Sequence, residues 1–171
     1  VVQNTSGNSD GYVLDAAELA TFGADTKKDG DEETAGTDKY FTIHYSAGTK
    51  VEAKEKEFTD GYKSVNRINF AGAVKKTQNS ISFTTTGKAK VKVYWGAADA
   101  NREMAIINDS GKTIAVTEVK PAKDQLCCWE VTLDDAGTYY LGGLENNNYI
   151  FKIEVEETAP VEEPVVKAVS Y

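Results

Sequence analysis

The chain has 171 residues, 40% of them hydrophobic and 27% charged, with a formal net charge of −8 and a pI near 4.8. That is enough apolar material for one domain of ordinary size, and the acidic balance makes nucleic acid an unsuitable partner. No apolar run approaches the roughly 18 residues that a membrane span needs, which excludes a membrane-inserted helix.

Val1 to Asp10 is polar and turn-rich and reads as a leader. The chain opens Val1-Val2-Gln3-Asn4 without Met, basic n-region or apolar h-region, and both ends read as linker. A piece cut from a longer protein is therefore expected. Gly11 to Asp15 is a short strand. Ala16 to Phe22 has helical propensity, with Asp15 as N-cap and Gly23 as stop, and would be the only helix. Asp25 to Asp38 mixes acids with Lys27 and Lys28 and reads as a solvated loop. It lacks the spacing of an EF-hand, although a structural calcium ion elsewhere in the domain stays compatible with the sequence.

From Tyr40 the pattern turns to strands. Tyr40 to Ser46 places Phe41, Ile43 and Tyr45 on one face and the only histidine, His44, on the other. Lys50 to Phe58 carries charge on both faces, as edge strands do. Val65–Ala71, Ser80–Thr86, Ala89–Trp95, Arg102–Asn108, Thr113–Val119, Cys127–Leu133, Thr138–Leu141 and Tyr149–Val155 follow, punctuated by glycines. Short strands recurring with glycine turns predict an all-β fold, an antiparallel β-sandwich of jelly-roll type. The sandwich is expected over residues 11–156. Residues 157–171, with two of the three prolines, form a Pro/Glu/Val linker.

No residue set in the sequence has the arrangement of a catalytic centre. A single histidine without an obvious partner is a surface histidine, and the adjacent Cys127 and Cys128 are free, packing thiols and no metal site. The cations are more informative. In Lys88 to Trp95, period two sends Ala89, Val91, Val93 and Trp95 to the core and Lys88, Lys90, Lys92 and Tyr94 outward, with the lysines about 7 Å apart. In the last strand Tyr149, Phe151, Ile153 and Val155 take the inward face and Lys152 the outward one. Arg67 and Arg102 stand at strand starts, where a guanidinium either pins a loop or clamps a carboxylate. With Lys63 these form a basic set in an acidic chain, suited to an anionic polymer. Tyr62, Tyr94 and Trp95 are candidates for stacking on sugar rings.

Asp60-Gly-Tyr-Lys-Ser-Val-Asn-Arg-Ile-Asn-Phe70, Ser80-Ile-Ser-Phe83, Ala89-Lys-Val-Lys-Val-Tyr-Trp95, Asn101-Arg-Glu-Met-Ala-Ile106 and the Gly137 to Val155 ending carry a resemblance. In that order they resemble the non-catalytic β-sandwich modules appended to bacterial pectate lyases, among them pectin-binding carbohydrate-binding modules. The resemblance implies a secreted or cell-surface parent enzyme whose catalytic domain the module holds on plant cell-wall pectin, without a cofactor. It also implies that basic side chains meet galacturonate carboxylates, with Arg67 and Arg102 at matching motif positions, then Lys63, Lys90 and Lys92. The acidic loop at 25–38 and the Cys127-Cys128 pair depart from the family. A neutral pectic side chain such as galactan, a non-binding spacer of a cell-surface protein, and an enzyme are the competing readings.

Overall fold

A computed structural model describes residues 9–158. Of the expected leader 1–10, Ser9 and Asp10 open the first strand, and of the expected linker 157–171, Glu157 and Thr158 close the last one; residues 1–8 and 159–171 lie outside the described residues. Twelve strands form two antiparallel sheets. They are β1 Ser9–Asp15, β2 Glu32–Ala35, β3 Phe41–His44, β4 Lys50–Ala53, β5 Asn66–Asn69, β6 Ser80–Thr85, β7 Ala89–Gly96, β8 Met104–Asn108, β9 Thr113–Val116, β10 Leu126–Leu133, β11 Gly137–Gly143 and β12 Tyr149–Thr158. The first sheet runs β10-β7-β12-β5-β4, with β1 added on β12; the second runs β2-β3-β6-β11-β8-β9. The molecule is the expected antiparallel sandwich.

The alternation that predicts the strands also builds the core between the sheets. Phe41, Ile43, Ile81, Val93, Trp95, Ile106, Leu141 and Ile153 are all fully buried. Along β7 the inward residues are Ala89, Val91, Val93 and Trp95, as the period-two reading requires.

Three expectations are corrected. The helix over 16–22 is absent: Asp15 does cap a turn, accepting from the Ala17 N–H at 2.9 Å, but only Ala16–Glu18 coil, as a 3₁₀ turn. Leu19 is extended and buried, and Phe22 pairs through its backbone with Val51. Burying Leu19 and Phe22 at the sandwich flank outweighs a one-turn helical propensity. The loop at 25–38 contains β2, which pairs with β3. Its first three residues are exposed and show no hydrophobic alternation, so nothing in the sequence marks it. The predicted strand Lys50–Phe58 stops at Ala53, and the rest forms a loop that folds over the first sheet.

A β-bulge on β12 causes a further change. The register with β7 shifts between Ile150 and Lys152, so Phe151 opposes no partner and the side-chain alternation flips there. Ile150, Ile153 and Val155 enter the core. Phe151 and Tyr149 turn instead to the outer face of the first sheet and pack with Tyr94, Phe58, Tyr62 and Leu126. No helix among the described residues is long and apolar enough to cross a membrane.

Candidate functional site

The outer face of the first sheet collects most of the predicted cations. Lys90, Lys92 and Tyr94 stand on β7, Lys152 on β12 and Arg67 on β5. Cross-strand register turns this face into rungs. One rung reads Thr132, Lys90, Glu156, Gly11 and the next Glu130, Lys92, Glu154, Val13, each crossing β10, β7, β12 and β1. The third reads Cys128, Tyr94, Lys152, Asp15.

The third rung is closed. The loop from 54 to 65 lies over it and buries Phe58, with Tyr62 packed beside it. The loop is clasped by Asp60, whose carboxylate accepts from the Tyr94 hydroxyl at 2.7 Å, the Tyr62 N–H at 3.0 Å and Lys92 Nζ at 3.4 Å. The Tyr62 hydroxyl donates to Asp15 at 3.0 Å. These donors, led by the Tyr62 N–H and the Tyr94 hydroxyl, hold the Asp60 carboxyl down at about 2. Burial and the hydrogen bond to Asp60 push the Tyr94 phenol up to about 12, and the Tyr94 contact raises the Lys92 ammonium above its usual range. Lys152 sits 4.6 Å above the Tyr62 ring and 5.3 Å from the Tyr94 ring, and its ammonium reaches Glu154 at 3.0 Å.

The first two rungs are open and form a trough of about 510 Å³. Its lining carries two lysines, Lys90 and Lys92, against three carboxylates, Glu130, Glu154 and Glu156, with Thr132 beside them. Along each rung a lysine is flanked by at least one glutamate about 5 Å away, the inter-strand spacing. The surface thus offers donors and acceptors in alternation, and with one more carboxylate than ammonium its formal charge is −1.

The remaining predicted residues lie elsewhere. Trp95 is 0% exposed and has no face for a sugar; its place is the core. Tyr94 is 4% exposed beneath the loop, so it cannot stack on a ring in this conformation. Lys63 is exposed on the covering loop, near the backbone bridge of Glu57 and Lys63. Arg67 donates to Glu52 at 2.8 Å and lies 3.6 Å over the Tyr149 ring. Burial raises the Glu52 carboxyl, but the Arg67 hydrogen bond and charge outweigh it and leave the group below its ordinary range. Arg102 donates to the backbone oxygen and Oδ1 of Asn147 at 2.7 and 3.1 Å, and so pins a turn. Both arginines therefore act as structural ties. The sequence reading missed Glu130, Thr132, Glu154 and Glu156 as trough residues because it tracked cations alone. Alternation in Trp129–Leu133 and Ile153–Glu156 would have placed them on the same face as Lys90.

His44, expected as a partnerless surface residue, is instead buried on the second sheet at 7% exposure, because the outer faces of β2, β3 and β6 close around it: its Nε2 lies 2.7 Å from Ser82 Oγ and its Nδ1 3.3 Å from Glu32. Burial lowers the imidazole pKa, with Glu32 opposing. The order acid–imidazole–hydroxyl resembles a hydrolytic triad. Ser82, however, sits mid-strand between Thr42 and Tyr140, where the ladders take the backbone N–H groups an oxyanion would need. The trio links β2, β3 and β6. In the loop at 25–38, Asp29 and Asp31 accept from the N–H groups of Ala47 and Lys28, both at 2.8 Å, and so brace the loop. Cys127 and Cys128 are free, and burial raises both thiols.

No protein family and no curated protein matches this chain in sequence. Solved structures do match. One comes from work on glycan recognition in the Ruminococcus flavefaciens cellulosome, at 14% identity and a TM-score of 0.48, covering 89% of this chain and 97% of that one. A family 6 carbohydrate-binding module from the Cellvibrio mixtus lichenase 5A, in complex with cellotriose, gives 10% identity, 82% and 98% coverage and a TM-score of 0.40. A family 35 module from Paenibacillus barcinonensis gives 16% identity, 80% and 97% coverage and 0.32. At these scores the function has to be argued from the surface of this chain.

Proposed function

We propose that this chain is a non-catalytic glycan-binding module that holds a linked, secreted pectin-degrading enzyme on plant cell-wall polysaccharide. The motif resemblance points to a pectic ligand. The observation that carries the binding mode is the open trough across β10, β7, β12 and β1, where lysines and glutamates alternate rung by rung. Sugar hydroxyls both donate and accept, and such a surface meets them with charge-assisted hydrogen bonds. A polyanion meets a surface of formal charge −1 instead. This layout favours a neutral pectic chain of galactan type over acidic homogalacturonan.

Exposed polar contacts contribute little each, roughly 0.2 to 1 kcal/mol. A handful gives millimolar to high-micromolar binding, made useful by tethering to the catalytic domain. The mechanism uses no cofactor.

Affinity electrophoresis and calorimetry against galactan, homogalacturonan, rhamnogalacturonan and xylan test this. Retention by galactan, nearly independent of salt and reduced by the pair Lys90→Ala and Glu154→Ala, is the expected result. No retention by any of the four polymers sinks the glycan reading and leaves a spacer module. Retention by homogalacturonan alone, falling as salt rises, restores a charge-reading site and removes the neutral ligand.

A further inference from the structure

The two flanks of the sandwich differ. One is closed by the segment between Leu19 and Asp31: Phe22 pairs with Val51, and Gly30 and Asp31 exchange backbone bonds with Tyr45. On the other flank β9 ends the second sheet and β10 ends the first, so each presents an unpartnered strand edge. Between them run two joined hollows of about 520 and 680 Å³, both lined by Ala115 and Val131.

The floor of this groove is apolar, with Trp129, Val131, Ala115 and Val116 along it and Trp95 at its inner end. Ile114 is 41% and Val119 51% exposed, and these are two of the three large exposed hydrophobic residues among those described. The buried indole N–H of Trp95 has no hydrogen-bond partner among the described residues. A fully buried donor without an acceptor is costly and uncommon in a native protein. The rim is acidic. Glu118, Asp134 and Asp135 line the groove with no ion pair among the described residues, Glu130 lines it opposite Lys92 on the neighbouring strand, Asp109 lines it paired to Lys76 at 3.6 Å, and no lysine or arginine is among the lining residues.

We propose that this flank is a strand-addition site, which takes an extended polypeptide segment of alternating apolar and cationic residues from a partner protein. Free N–H and C=O groups repeat about every 7 Å along a strand edge, a period that another strand matches and a sugar ring does not. The eight residues of β10 offer an edge of about 26 Å. Apolar side chains of the guest would cover Trp129, Val131 and Ala115. Its cations would answer the rim. A second copy of this chain is the wrong occupant, because each copy carries a net charge of −8 and would bring its own carboxylates to the same rim. The groove and the glycan trough share Glu130, Val131 and Thr132 on β10, but the trough residues Lys90 and Glu154 do not line the groove and are not needed for this site, so the two readings can fail separately.

The chain supplies its own reporter. Trp95 is wholly buried, while Trp129 is half-buried in the groove, so acrylamide quenching of indole fluorescence reads Trp129. The probe is a nine-residue peptide alternating valine and lysine, with a valine–glutamate peptide, nonalysine and galacto-oligosaccharide as comparisons. The valine–lysine peptide should shield Trp129 saturably and slow amide exchange across residues 126–133. Asp134→Lys combined with Asp135→Lys, at exposed positions, should weaken it about tenfold or more. The pair Lys90→Ala and Glu154→Ala should leave it unchanged. The proposal falls if the saturating peptide neither shields Trp129 nor slows exchange in β10. It falls equally if nonalysine binds as well as the alternating peptide, or if galacto-oligosaccharide shields Trp129 in its place.

Discussion

Glu157 offers the sharpest test of the packing argument. It is 7% exposed at the end of β12, and its carboxylate accepts three hydrogen bonds: from the Tyr40 hydroxyl at 2.6 Å, the Thr86 N–H at 2.9 Å and the Thr86 hydroxyl at 2.8 Å. It thereby ties the last strand to the turn before β3 and to the β6–β7 turn. Replacement by glutamine keeps the shape and removes the charge. Hydrogen bonds to a charged group contribute roughly 1.5–3 kcal/mol and neutral ones roughly 0.5–1.5. Three downgraded bonds, one of which now faces an amide donor, should cost about 2–3 kcal/mol. For a domain of this size that lowers the melting temperature by about 5–10 °C.

The same group predicts a pH effect of definite sign. Burial raises the Glu157 carboxyl, but the hydrogen bonds from Tyr40 and Thr86 outweigh it and leave it below its ordinary 4.5. The folded chain therefore binds this proton less readily than the unfolded one. The contribution is complete above about 4.5 and is lost as pH falls through the depressed value. Glu157→Gln should flatten that part of the acid limb. Urea titrations of wild type, Glu157→Gln and Thr86→Val, with the double variant closing the cycle, measure the effect. A loss below about 0.5 kcal/mol, with an unchanged acid limb, refutes the assignment of Glu157 as a tie between the sheets.

Three further outcomes are expected. Asp60→Asn should loosen the clasp on the 54–65 loop, seen as faster tryptic cleavage at Lys54, Lys56 or Lys63 with little change in melting. In the wild type the same loosening, read by pepsin cleavage within residues 54–65 because trypsin is inactive in acid, should appear only on acidification between about 4 and about 2, as the Asp60 carboxyl is depressed from 3.8 to about 2. Gly142→Ala should destabilise by about 1–3 kcal/mol in urea titration, since a methyl there would stand 2.5 Å from the Asn79 backbone oxygen and 3.0 Å from Val74 Cβ. Gly87→Ala, with nothing within 4 Å, should be nearly silent in the same assay. Arg67→Ala should cost about 1–2 kcal/mol in urea titration through its lost Glu52 bond and Tyr149 stack, yet leave galactan retention unchanged. A drop in retention without a drop in stability would return Arg67 to the ligand.

Local pattern and turn signals were enough to place eleven of the twelve strands and most of the core, because a half-buried strand must write its two faces into the sequence. Lys90 and Lys92 were legible as outward residues on the same ground. β2 was not, since an exposed edge strand has no buried face to record. The bulge at Phe151 was not either, because one extra residue changes the facing of everything beyond it without altering composition.

Charge was the part of the surface that chain order alone could not resolve. The list of basic residues is fixed by the sequence, and so is their outward direction. Which carboxylate stands beside each one depends on register between strands up to about sixty residues apart, as with Lys92 between Glu130 and Glu154. Coulomb interactions fall off over a few ångströms in space and take no account of separation along the chain. The sandwich was therefore determined by the sequence, whereas the tertiary structure decided that its cations sit in a balanced ladder and that one flank stays open.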